Sequence, residues 1–585
     1  HQLWRSTDAG GSWSNISSVI PANTSPSLDN LSTQNGYDML LSVKPNDPSF
    51  IIVGGVSIFK ISDVTAANNP DAAADLAAKH IGGYGISANS TANALGDFIN
   101  HHPDNHIGVF KPGSNIIFYC GNDGGIALTN DITATPSATY WQTPIRTGLN
   151  VSQFYSASID KTNGSGFIAG GLQDRGNWMA RSTGSLQSWQ EVSGGDGCFA
   201  EIEPSGTYVF MSTTNGNIFR FAKADATSPV SATTAMKPGT LTNPLFVNPF
   251  EVDDNSGDII YFSGGNTANS TTSGIWRTTN ATAGTPTWGH FTNSNVASEQ
   301  VSAITVSKAG SANVLYYGTS GGKLFRIDGA NTADLATTTP TTITGGSFPA
   351  GYVSSIAVDP ANSANVLVTF SNYNVARVWY STNSGGAWTD VTGNLTGANS
   401  PSIRWAKMFS VSGTPHYFLA TSTGVYYTTS LSGTPTWTQE AASSIGNVVT
   451  VMLDFRSSDG TLIAATHGRG VFETTITSAL PVELTSFAGA YNGADVTLTW
   501  QTATEVNNYG FEIQRTVIPS GVEGWQKIGF VQGHGNSNSP KSYSFTDKNA
   551  LSGKVQYRLK QIDFDGKYEY SSIVEVNVNA LNRLE

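Results

Sequence analysis

The sequence predicts an all-β protein, a multi-bladed β-propeller followed by a C-terminal β-sandwich, and three observations carry that expectation. A pattern of short strands recurs about every 45 to 55 residues, the period of propeller blades. The composition is rich in turn formers, with 62 glycines in 585 residues, and only 12% of side chains are charged, against roughly a quarter in typical soluble domains. One eight-residue turn ending in tryptophan occurs both near the start of the repeats and late in them.

The repeat is legible as pairs of apolar strands. Examples are Met39–Val43 with Phe50–Gly54, Ala303–Val306 with Val314–Gly318, Ser355–Val358 with Val366–Phe370, and Val449–Phe455 with Leu462–Thr466. Short turns such as KPNDPS, DPANSAN and RSSDG separate them, supplying the Asn, Asp, Pro and Gly that tight reversals need. Unit starts fall near residues 36, 101, 150, 195, 242, 296, 350, 401 and 447, after a half blade at 1–17. That amounts to about nine or ten blades, or part of a larger propeller array. The half blade could complete the last unit and so close the ring, removing exposed sheet edges. The propeller is expected over 1–478 and the sandwich over 479–585. The one helical stretch is Asp71–His80.

The repeated turn has a physical logic. Ser6-Thr7-Asp8-Ala9-Gly10-Gly11-Ser12-Trp13 and Ser381-Thr382-Asn383-Ser384-Gly385-Gly386-Ala387-Trp388 share a side-chain acceptor, a glycine and a closing tryptophan. The Asp or Asn accepts backbone N–H bonds, the glycine supplies positive φ, and the indole packs beneath the turn. Weaker versions end at Trp189, Trp288 and Trp437. Ser6, Asp8, Gly10 and Trp13, with Ser381, Asn383, Gly385 and Trp388, are therefore structural residues with no catalytic part.

Charge limits the partners. A formal net charge of −12 lacks the Lys/Arg surplus that nucleic-acid phosphates require, so no nucleic acid is expected. The longest apolar runs, such as Val448–Leu453, are far too short to span a bilayer, so no transmembrane segment is expected. Two cysteines, Cys120 and Cys198, cannot make a disulfide framework. They read as separate buried thiols, with a single bridge the other option.

The turn pattern is the Asp box, and with it the chain resembles the sialidase-type repeat superfamily, above all its sortilin-like and xyloglucanase-like branches. Ala464-Ala465-Thr466-His467-Gly468-Arg469-Gly470-Val471 resembles the closing strand of such bacterial propellers. Gly121–Gly125, Gly170–Gly176 and Gly194–Gly197 resemble the GNDGG, GGLQDNG and GGDG phrases of a secreted bacterial subgroup, with Arg175 where Asn is usual. The resemblance covers nearly all of 1–476 and implies the fold more sharply than any ligand. The arginine triad of a sialidase is missing.

Two sets of side chains are candidates for chemistry. Asp123, Asp174 and Asp196 each lie in a glycine-flanked turn near the same point of successive blades. A xyloglucanase-like inverting hydrolase would need two such carboxylates roughly 6.5–9.5 Å apart. The plainer reading has them capping turns or lining an acidic rim. His102-Pro103-Asp104-Asn105-His106 is the one cluster with metal-ligand chemistry. On an extended strand His102, Asp104 and His106 would share a face and could converge on a structural Ca²⁺ or another divalent cation. Against that, Pro103 interrupts the strand. Trp141, Trp178, Trp276, Trp379 and Trp405 could form a carbohydrate platform if exposed, but as inter-blade core they would be buried. Asp563–Gly566 reads as a β-turn rather than a calcium loop.

After residue 478 the strand pattern changes to that of an Ig/fibronectin-III-like sandwich, with strands near Asp495–Trp500, Phe511–Arg515, Trp525–Gly529, Tyr543–Asp547, Val555–Asp563 and Ser572–Val578. The phrases LPVELTSF, LTWQTATEVNNYGFEIQR and YRLKQIDFDGKYEYSSIVEV closely resemble a module that precedes the sorting domain of type IX secretion cargo. That resemblance implies a secreted or cell-surface protein of a Gram-negative bacterium. The expectation is a non-catalytic interaction protein for an extracellular glycan or protein, or a self-associating subunit of a surface layer, sheath or filament. The alternative is a secreted glycoside hydrolase using paired aspartates.

Overall fold

The computed structural model describes residues 2–20, 32–65, 78–84, 98–142, 150–180, 189–223, 234–266, 272–308, 313–476 save 398 and 412, and 484–578 save 504, 519–523, 538, 564, 565 and 567. Most of the expected helix at Asp71–His80, the boundary at 478/479 and the middle of the turn at Asp563–Gly566 fall outside the described residues; Ala78 and Lys79 are helical, and His80 already belongs to a strand.

The repeat is a multi-bladed β-propeller. Antiparallel meanders at 154–193, 197–235, 250–290, 301–342, 353–390 and 403–440 follow one another, and a three-stranded sheet at 450–475 ends the series. Strands in the middle of these blades are buried along their whole length, as at Ile260–Gly264, Leu315–Thr319 and Thr461–Thr466. A blade has another blade on each face, so its central strands read as continuous apolar runs rather than as alternation.

Seven apolar clusters, one at each blade-to-blade interface, show that these seven sheets form a closed ring. Phe167 and Met179 meet Ala200 and Met211; Phe210 and Ile218 meet Phe250 and Phe262; Tyr261 and Ile275 meet Val301 and Tyr317. Tyr316 and Leu324 meet Val353 and Val368; Leu367 and Val378 meet Met408 and Leu419; Phe409 and Phe418 meet Leu453 and Leu462. The seventh cluster closes the circle, setting Ile463 and Ala465 of the last blade against Phe154 and Ile168 of the first.

Polar contacts secure the same seam. Buried Asp454 accepts from Ile159 N at 3.1 Å, Lys161 Nζ at 2.6 Å and Lys407 Nζ at 3.0 Å. Arg456 Nη1 donates to the carbonyls of Asp160 and Ser165 at 2.9 and 2.5 Å. His467 bridges to Gln153 in the first blade, as its place in a closing strand suggested.

Two further blades stand outside the ring. One has strands Leu40–Lys44, Asp47–Gly54, Ile58–Ile61 and His80–Gly82; the other has Asn105–Phe110, Phe118–Asn122 and Gly125–Thr129. They share a core of Leu40, Phe50, Ile52, Ile58, Phe118, Cys120 and Trp141. Among the described residues nine blades are present, within the expected nine or ten, and seven of them form the ring. The half blade, Trp4–Arg5 with Ser14–Asn15, does not complete the last blade as the sequence allowed. Leu3, Ile16 and Val19 instead pack on Ile51, Val53, Phe59 and Ile61 of the first outer blade. Cys120 and Cys198 are both free and buried.

The two eight-residue turns that end in Trp13 and Trp388 have one geometry. Gly10 N and Gly385 N donate to the Ser6 and Ser381 hydroxyls at 2.8 and 2.9 Å, while Ser12 N and Ala387 N donate to Asp8 and Asn383 at 2.8 Å. Ala9 and Ser384 both adopt φ of 56°. Closing tryptophans repeat one contact, an indole N–H donated to a carbonyl beside the outer strand of the preceding blade. It reaches Met236 from Trp288 (2.6 Å), Ile343 from Trp388 (2.8 Å), Val391 from Trp437 (3.0 Å) and Ile81 from Trp141.

Residues 484–578 form two sheets around one core, in which Val496, Leu498 and Trp500 of one sheet face Phe511, Ile513, Val555, Tyr557 and Leu559 of the other. Among the described residues no helix is long and apolar enough to cross a membrane.

Candidate functional site

The two candidate sets named from sequence meet at one place, where the outer blades touch the ring. Asp104 ends the loop before Asn105–Phe110, Asp123 sits in the turn between Phe118–Asn122 and Gly125–Thr129, and Asp174 sits in the turn between Ile168–Leu172 and Gly176–Ala180. One carboxylate oxygen from each lies within 4.8 Å of the others.

Local backbone puts them there. Asp104 and Asp174 both have positive φ, 62° and 57°, a conformation that Asp tolerates better than most side chains. Asp104 N donates to Val56 O at 3.0 Å and Asp123 N to Asp104 O at 3.2 Å, which ties the two outer turns together. On the ring side the glycines of GGLQDRG and GGDG allow close approach. A Cβ on Gly176 would lie 1.7 Å from Ser193 O, and one on Gly171 would lie 2.1 Å from Cys198 O. The Asp196 carboxylate accepts from Asp174 N at 2.9 Å, so Asp196 holds the neighbouring turn and stands outside the trio.

The His-Asp-His strand face does not form. Strand pairing starts only at Asn105, and the positive φ of Asp104 breaks the alternation on which the shared face depended. His102 instead places Nε2 2.6 Å from the Asp174 carbonyl, a direct link between outer blade and ring. His106 sets Nε2 2.5 Å from Asp123 Oδ1 and Nδ1 3.3 Å from Tyr37 O. Asp104 is thus the only member of that set that joins the carboxylate trio.

Sequence reasoning missed three contributors. Gln34 Nε2 donates to Asp104 Oδ1 at 2.8 Å. Tyr37 packs edge-on against His106 with ring centroids 4.9 Å apart. Asp38 is fully buried and no N–H donor reaches either carboxylate oxygen. It faces the Asp104 carboxyl, and His106 Nδ1 comes no nearer than 3.7 Å. No motif surrounds these residues, so only their placement reveals them.

The electrostatics are one-sided. Burial, then the neighbouring Asp38 and Asp123, push Asp104 up to about 7. Burial, then Asp196 and Asp123, push Asp174 up to about 7. Burial also raises Asp38. His106 is held above its ordinary value by its bond to Asp123, although burial opposes this. Among the described residues no Lys or Arg pairs with these aspartates; Arg175 pairs with Glu191 at 3.8 Å instead.

The other aromatic candidates are accounted for by packing. Trp141, Trp276 and Trp379 are buried, and Trp178 and Trp405 are partly buried against the seam cluster.

Comparison with known proteins adds little to this geometry. No protein-family description matches the chain, and no curated protein does. Among solved structures it is similar to the β-propeller domain of Cps50 (Swd1) from Myceliophteria thermophila. The identity is 12% and the TM-score 0.39, over 56% of this chain and 99% of that one. At that level the likeness carries no functional information.

Proposed function

We propose that the chain is a non-catalytic extracellular interaction protein, whose propeller faces present loops to a glycan or protein partner. The observation that carries this reading is the crowding of Asp104, Asp123 and Asp174. Carboxylate oxygens within 4.8 Å of one another leave no room for the water that an inverting hydrolase places between carboxylates roughly 6.5–9.5 Å apart. Asp123, Asp174 and Asp196 are also engaged in holding turns and joining the two units. The type IX cargo resemblance of residues 480–580 supports secretion to the surface of a Gram-negative bacterium, with the C-terminal two-sheet unit, read as fibronectin-III-like, acting as a spacer. A surface-layer, sheath or filament subunit is the self-associating form of the same proposal.

The hydrolase alternative has one point in its favour: Asp174, raised to about 7, has the proton affinity of a general acid. A glycan array and a glycan-degradation screen on the purified chain separate the two. Retention of glycan or protein without product release is the expected result. Release of oligosaccharide that disappears in Asp174→Asn and Asp196→Asn would establish the hydrolase instead.

A further inference from the structure

The acidic junction has a feature that turn capping does not explain. Asp38 is wholly buried, yet neither oxygen receives a hydrogen bond from any N–H group, and it looks onto another carboxyl, that of Asp104. Asp123 and Asp174 form a second facing pair across the boundary between the outer blades and the ring. Two carboxyl pairs face each other with no Lys or Arg between them among the described residues; the one imidazole at their edge, His106, is spent on Asp123 at 2.5 Å and stays 3.7 Å from Asp38. Burying an anion without a partner costs several kcal/mol, about 1–3 for the missing hydrogen bond alone and more for the charge. The arrangement calls for protons or for a cation.

We propose that Asp104, Asp123 and Asp174, backed by Asp38, form a binding site for one hard divalent cation that staples the two outer blades to the seven-blade ring. The donor set decides the class of ion. All the converging atoms are carboxylate oxygens, with no thiolate, and the nearest imidazole nitrogen is already 2.5 Å from Asp123. Oxygen-only sites select calcium, magnesium or manganese over zinc and copper. Among those, calcium suits the widest range of spacings: oxygens bound to it at about 2.3–2.6 Å can lie up to roughly 5 Å apart, which spans the whole 4.8 Å within which the three carboxylate oxygens lie, whereas magnesium, at about 2.0–2.1 Å, needs them within roughly 4 Å. Asp174 comes from the ring while Asp38, Asp104 and Asp123 come from the outer blades, so the ion would bridge two separately cored units. This assignment does not depend on the partner of the propeller or on whether it is catalytic.

The test uses the whole chain stripped with EDTA and titrated with Ca²⁺ by calorimetry, in parallel with Mg²⁺ and Zn²⁺. The expected result is one saturable Ca²⁺ site per chain, bound more tightly than Mg²⁺ or Zn²⁺. Asp174→Asn and Asp104→Asn should each weaken it by at least about tenfold, while Asp47→Asn, at the start of the strand Asp47–Gly54 elsewhere in the outer blades, should leave it unchanged. Saturating Ca²⁺ at 100 times its dissociation constant should stabilise the junction by about 2.7 kcal/mol, read as slower proteolysis between the outer blades and the ring. Absence of a saturable Ca²⁺ site in the unmutated chain would overturn the proposal whatever the variants do. So would preference for Zn²⁺, or Asp174→Asn binding as tightly as the unmutated chain while giving the same circular dichroism spectrum.

Discussion

In the seven-blade ring every sheet has another blade on each face, whereas the two outer blades share one core, the first is covered on its far face only by the N-terminal half blade, and the far face of the second is open. The described strands of the ring carry no exposed large apolar side chain; Val151, Phe246 and Tyr373, which are exposed, lie in loops. Outside the ring, Trp4, Leu41, Val43, Ile107, Val109 and Ile126 are all exposed and all on strands. The two tryptophan-closed turns repeat the contrast at the scale of one turn. Their hydrogen bonds match, but Trp388 packs on Phe348 between two blades while Trp13 is 60% exposed. The motif therefore specifies the turn, and the neighbouring blade supplies the burial.

Trp388→Ala and Trp13→Ala should split this pair most widely. Removing Trp388 deletes an inter-blade contact and its bond to Ile343 O, at an expected cost of about 3 kcal/mol. Removing Trp13 should change stability by less than about 0.5 kcal/mol. Denaturant unfolding of both variants checks it, and equal losses would show that the turn itself, rather than its neighbour, does the stabilising.

A smaller effect is expected at the seam that makes the ring a ring. Asp454→Asn leaves Lys161 and Lys407 without their carboxylate, and because both lysines are partly solvated the loss should be about 2 kcal/mol. The Asp454 carboxyl is buried, which alone would raise its pKa, but Lys161 and Lys407 hold it below the ordinary carboxylate range. A depressed folded-state pKa adds stability that is fully present above the unfolded value of 3.8 and is lost progressively as pH falls from there through the folded value. The ring should therefore keep this contribution down to about pH 4 and lose it steadily below, and Asp454→Asn should flatten that acid limb of the pH-dependent melting curves.

Inside the ring Glu251 gives the opposite sign. Burial, then Asp254, raises it from 4.5 to about 8, although Lys407 and a bond from Thr305 oppose the shift. A raised folded-state pKa gives stability present at low pH and lost as pH climbs through 8. Glu251→Gln mimics the protonated form, so it should melt with the unmutated chain at pH 5 and about 2–4 °C above it at pH 9.

Much of this architecture was legible in the sequence. Every unit start but one falls within about five residues of a first strand, from Leu40 and Asn105 to Thr450, because continuous apolar runs between Asn, Asp and Gly turns identify blades; the start near 242 comes well before its strand at Phe250. Ring membership was not legible. Residues 105–129 carry the same strand pattern as the ring blades, and closure depends on which faces meet, as at Ala465 and Phe154. The junction was half legible: Asp123 and Asp174 stood out in one set with Asp196, and Asp104 in another with His102 and His106. The convergence of Asp104, Asp123 and Asp174 depends on two positive φ angles, and Asp38 lies in no motif.

The smallest effect predicted tests the open flank. Ile107 and Val109 lie on the face of their sheet opposite Phe118 and Cys120, and both are exposed. A charge there meets water rather than another blade, so Ile107→Asp should change stability by less than about 0.5 kcal/mol. Ile304, in a first strand of the ring, is buried against the third blade, and the same change there would bury an unpaired carboxylate and prevent folding. If Ile107→Asp proves as damaging as Ile304→Asp, the flank is covered in solution and the outer blades are as enclosed as the ring. Sedimentation of the unmutated chain would then show whether a second copy provides the cover. A silent Ile107→Asp would instead confine closure to the seven-blade ring and leave the outer pair attached through the His102 and aspartate junction and whatever cation it holds.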